Sequence, residues 1–138
     1  MATEFTQRFG EGDVRPGVNV TGASATISKG MAVKVGLTPT VKNEVLKAAA
    51  ATDIPYGVAM ADILTTKEGD IQIRGTAICL AGALTAAGVN VTSDGTARFV
   101  AAGNNEKVWG VSITAAGAAG EYMEIELAGP GGGSPTHA

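Results

Sequence analysis

Reactive side chains are scarce in this chain of 138 residues, which holds one cysteine and one histidine. A single cysteine excludes an internal disulfide, and one histidine with one cysteine falls short of the usual spacing of a metal site. Cys79 lies in the apolar run Ile78-Cys79-Leu80-Ala81, where it reads as a small buried hydrophobe. His137 lies in a terminal Gly/Pro segment, where nothing orients it as a general base. No catalytic residue, metal or cofactor is expected, and the chain does not read as an enzyme.

Positive charge is short as well: ten Lys and Arg stand against thirteen Asp and Glu, for a net charge of −3. This leaves no basic footprint for a phosphate backbone, so nucleic acid is not an expected partner. Apolar runs stay below the roughly 18 residues of a spanning helix. The opening Met1-Ala2-Thr3-Glu4-Phe5 lacks a basic stretch followed by a long apolar one. A soluble protein made in the cytoplasm, with no membrane partner, is the expectation. Aromatic residues make up only 4% of the chain: Phe5, Phe9, Tyr56, Phe99, Trp109 and Tyr122. A core of Ala, Val, Ile and Leu is thin, and burying further surface against a partner would add stability.

What the chain does have is glycine, twenty in all, and strand-like alternation. Ile54-Pro55-Tyr56-Gly57-Val58-Ala59-Met60 and Lys107-Val108-Trp109-Gly110-Val111-Ser112-Ile113 share an aromatic-Gly-Val centre, and an alanine cluster precedes each. Each is followed by a glycine-acid turn, at Gly69 and Gly120, and by an alternating segment that closes on Ala-Gly. One β unit used twice accounts for this order. In the first unit Ile71, Ile73, Gly75 and Ala77 alternate with Gln72, Arg74 and Thr76, as in one half-buried strand. Val45 to Ala51 favours a strand followed by a loop, although its Ala and Lys also suit a helical turn.

The expected fold is all-β, a small single-domain barrel or sandwich, jelly-roll-like or β-tulip-like, built from two related halves. Residues 1–17 read as an N-terminal arm and 18–128 as the β domain, with halves of about 18–82 and 83–128. Residues 129–138 read as a flexible Gly/Pro-rich tail.

Several motifs have residue types that could carry chemistry. Glu121, Glu124 and Glu126 read as a solvated strand edge in preference to an acid-base pair. The clusters Gly10-Glu11-Gly12 and Gly129 to Gly133 neither follow a strand nor open a helix, so they are not phosphate loops. Lys29 and Lys67 sit at turns without the flanking residues of a biotinyl or lipoyl carrier. Tyr56 and Trp109 would suit a carbohydrate-binding β module if exposed, but their apolar flanks favour the core.

The order of Gly12-Asp13-Val14, Gly30 to Val35, Tyr56 to Ala59, Gly69 to Gly75, Ala87-Gly88-Val89, Trp109 to Val111 and Gly120 to Leu127 resembles the capsid cement, or decoration, proteins of tailed bacteriophages. The resemblance implies a small all-β structural protein on the outer surface of an expanded phage head. It implies the major capsid protein as partner, self-association as a dimer or trimer, and a virion location. Phe5, Arg8 and Phe9 on the arm are the candidate capsid or subunit contacts, because rings on an arm gain most from docking.

Overall fold

The computed structural model describes residues 14–20, 26–35 and 44–129, and these contain strands and no helix. Val14–Asn19 (β1), Ala32–Val35 (β2), Glu44–Lys47 (β3), Pro55–Ala59 (β4) and Glu68–Gln72 (β5) close into a barrel of order β1-β3-β2-β4-β5. Gly75–Leu80 (β6), Asn90–Ser93 (β7), Phe99–Ala101 (β8), Gly110–Ser112 (β9) and Tyr122–Leu127 (β10) form a second sheet of order β6-β10-β9-β7-β8. The fold is all-β, as the glycine-punctuated alternation predicts.

The halves follow one plan strand for strand. Val33 lies opposite Gly57 on one side and Lys47 on the other, and Val91 lies opposite Gly110 and Ala101. Arg15 opposes Ile71 where Ala77 opposes Ile125. The barrel closes through a parallel pairing of β1 with β3 at Asn19 and Val45; the second sheet repeats it as a single parallel bridge between Ala81 and Phe99.

That difference in closure sets the side chains inside. In the tight first barrel Gly17 faces Gly69 across β1 and β5. A Cβ on Gly17 would come within 2.9 Å of Ile71 Cγ1, and one on Gly69 within 2.5 Å of Ile63 Cγ1. The matching pair in the wider second half is Cys79 and Met123, and Phe99 stands where the first half has Val45. The first core is accordingly aliphatic, built on Ile27, Val33, Val45, Ile63, Ile71 and Ile73. The second holds Phe99, Trp109, Met123 and Ile125, and takes in Ala32, Ala48 and Val58 from the outer side of the first barrel.

The first half completes the second in its backbone too. Leu80 N donates to Gly30 O at 2.9 Å, and Ala32 N donates to Ala97 O at 2.7 Å, which places residues 30–32 beside the opening between β6 and β8. Ser93 Oγ and Thr92 Oγ1 donate to the carbonyls of Ala50 and Ala51.

Three boundaries differ from those expected. β1 begins at Val14, so residues 14–17, assigned above to the arm, pair with β5. The stretch from Ile71 to Ala77 is two strands in two sheets: the chain turns at Gly75 (φ 87), and Gln72 Nε2 holds the corner by donating to Arg74 O and Thr76 O. β6 therefore belongs to the second half, which starts near residue 75 and not 83. Val45 to Ala51 is a strand and then a loop, as favoured above.

Candidate functional site

The groups with chemical potential are mostly committed to holding the fold. Cys79 is fully buried, burial pushes its thiol far above the ordinary range, and Sγ lies 3.7 Å from Ala77 O. A protonated thiol in an apolar core is a packing group and a poor nucleophile.

Five carboxylates cap turns. Asp94 Oδ1 accepts from Thr96 N and Thr96 Oγ1 at 2.8 Å and from Arg98 N at 3.0 Å. Asp53 Oδ2 accepts from Ala49 N and Ala50 N, and Lys34 Nζ lies 3.2 Å from it. In the second half Glu106 accepts from Gly103 N at 2.6 Å and Glu121 from Gly117 N at 2.7 Å. Asp62 accepts from Lys29 N. Each satisfies backbone N–H groups that a tight turn leaves without partners. Glu44, at the start of β3, is buried, and neither carboxylate oxygen has a hydrogen-bond partner among the described residues. Among those residues no three His, Cys, Asp or Glu side chains gather as metal ligands would.

Trp109 is 1% exposed and meets Phe99 edge-on, with centroids 5.6 Å apart and planes at 81°. Its face is enclosed by core residues, so it offers no platform to a sugar. Tyr56, its counterpart, is half-buried against the aliphatic core. Both aromatic rings thus serve packing. Phe5, Arg8 and Phe9 lie outside the described residues.

Two shallow clefts run along the junction of the halves. One, of about 180 Å³, lies between Lys29, Met60 and Ile78; the other, of about 380 Å³, lies between Lys47, Ala49 and Arg98. Both are smaller or more open than the enclosed pockets that bury a small ligand.

The outer face of β6, β10 and β9 is different in kind. Thr76 and Ile78 on β6, Tyr122, Glu124 and Glu126 on β10, and Val111 on β9 point outward, with Ile113 beyond the end of β9. Thr76 Oγ1 donates to Glu126 Oε1 at 2.9 Å. The alternation of β10 foretold its acidic side; the neighbouring isoleucines and Val111 join it only through sheet order.

No protein-family model matches the sequence, and no curated protein does either. The fold is shared with a solved structure, the N base of the head fiber gp8.5 of bacteriophage phi29. That likeness has a TM-score of 0.66 at 16% identity and covers 83% of this chain and 92% of that chain. At such identity the likeness is one of fold.

Proposed function

We propose that this chain is a non-enzymatic structural protein of a tailed-phage head, which binds the outer surface of the expanded shell and strengthens contacts between major capsid subunits. The observation that carries the proposal is the fold it shares, over most of both chains, with a phage head fiber base. The resemblance of its sequence to capsid cement proteins points the same way. The site chemistry is compatible: five acids tied to turns, a buried thiol and an enclosed tryptophan leave surfaces as the working parts. Many copies on one shell would turn modest contacts into firm retention.

On this proposal the partner is the major capsid protein, the location is the outside of the virion, and copies associate as dimers or trimers on the shell. Phe5, Arg8 and Phe9 are the contact candidates on the N-terminal arm. Purified protein is incubated with expanded and unexpanded heads of the phage that encodes it, and the heads are sedimented. Co-sedimentation with expanded heads is expected, and its absence overturns the proposal. Replacing Phe5 and Phe9 by alanine is expected to lower occupancy while leaving the melting temperature unchanged; unchanged occupancy removes the arm from the account.

A further inference from the structure

The duplicated plan allows one surface to be compared with its own counterpart. In the first half, Ala32, Val58 and Gln72 form a row across β2, β4 and β5. They are 0%, 1% and 6% exposed. The second half covers them: Ala32 and Val58 join the cluster of Phe99 and Trp109, and Gln72 Nε2 donates to Thr76 O at 2.8 Å.

The same row in the second half is Asn90, Val111 and Glu126 across β7, β9 and β10. Here nothing in the chain's described residues covers it, and Val111 is 41% exposed. The next row holds Ile113, whose N–H donates to Glu124 O, then Glu124 opposite Ile78. Tyr122 follows on β10. Four outward apolar side chains therefore alternate with two carboxylates on adjoining strands.

The substitutions between the rows follow the covering. Where the row is permanently buried it is Ala, Val and Gln; where it is open it is Asn, Val and Glu, which keeps an apolar patch in solution. None of β6, β9 or β10 carries a lysine or arginine. Lys29 borders the face at the Ile78 margin, and Arg74 lies beyond its other end, beside Gly129. Two copies apposed through this face would set carboxylate against carboxylate.

We propose that the outer face of β6, β10 and β9 is a docking surface for a protein partner that presents apolar side chains bracketed by lysine or arginine. Identifying that partner with the capsid subunit rests on the function proposed above; the chemistry of the face does not. Val111, Ile113 and Ile78 supply the apolar contact, and Glu124 and Glu126 set which partner is accepted.

The test uses the full chain, with Val111→Ser/Ile113→Ser and Glu124→Lys/Glu126→Lys as variants whose folding is checked by Trp109 emission. The first probe is a short peptide alternating lysine and valine, with a glutamate-valine peptide as control. The lysine peptide should perturb amide signals of β6, β9 and β10, bind more weakly as salt rises, and lose at least about tenfold in affinity to the charge reversal. Perturbation elsewhere, or undiminished binding to the variants, overturns the proposal. A variant that changes the oligomeric state in sedimentation velocity also overturns it, by making the face a contact between copies. The second probe is expanded heads. Wild-type protein that binds them as well as both variants do overturns the docking face and leaves the capsid function standing. Wild-type protein that ignores heads while the peptide binds as expected removes only the capsid function.

Discussion

Gly57 and Gly110 occupy the same place in the two halves, and each leaves room for the same neighbours. A Cβ on Gly57 would press on the carbonyl oxygen of Gln72 and lie 2.6 Å from Ile71 Cγ2; one on Gly110 would press on the carbonyl of Glu126 and lie 2.7 Å from Ile125 Cγ2. A backbone carbonyl within a sheet has nowhere to move. Alanine at either position is therefore expected to cost about 1–3 kcal/mol, the range for overpacking. Urea unfolding of Gly57→Ala and Gly110→Ala should show similar losses with an unchanged m-value.

Trp109 fills the wider half, and its Nε1 has no hydrogen-bond partner among the described residues. Trp109→Ala should cost about 3–5 kcal/mol, as for other large core truncations. Trp109→Phe forfeits no hydrogen bond and should cost distinctly less. Acrylamide should barely quench the wild-type emission until the chain unfolds.

Cys79 links stability to alkaline pH. Burial raises its folded pKa, so the folded state keeps the proton where an unfolded thiol, near about 8.5, releases it. The contribution is fully present below that pH and falls above it, by about 1.4 kcal/mol per pH unit while only the unfolded thiol ionises. Denaturation of wild type and Cys79→Ala across pH 7–10 should show the extra slope in wild type alone. A thiol reagent should react with Cys79 only upon unfolding.

Thr66 holds a positive φ of 68°, where a β-branched residue is strained. Its N–H donates to Asn19 O at 2.8 Å as that of Gly120, with φ 91°, donates to Ala81 O at 2.8 Å. Thr66→Gly should relieve more strain than it adds in unfolded-state entropy, for a net gain of up to about 1 kcal/mol. Gly120→Thr should lose stability, and thermal melts of the two variants should move in opposite directions.

The same pair shows where the sequence was legible and where it was not. The repeat itself was readable from the aromatic-Gly-Val centres, which share one spacing and one register. Matching Gly69 to Gly120 as turn glycines was an error of three residues: glycine is needed at Gly69 because Ile63 crowds it, whereas the turn position opposite Gly120 is a threonine. Ile71, Ile73, Ala77 and Cys79 all point inward with period two, so alternation alone could not reveal that two of them line one core and two the other. The open face was hidden for a related reason. Val58 and Val111 sit in the same local sequence, and only the docking of the halves buries one and exposes the other.

The unequal closure of the halves also makes their dependence on each other unequal. The first barrel pairs all five of its strands around a ring, so its strand pairing uses only residues up to 72. The second sheet meets itself at one bridge and leans on the carbonyl of Gly30 and the N–H of Ala32 to finish its wall. The first half thereby supplies the edge against which the second half closes, so the dependence between the two runs one way along the chain.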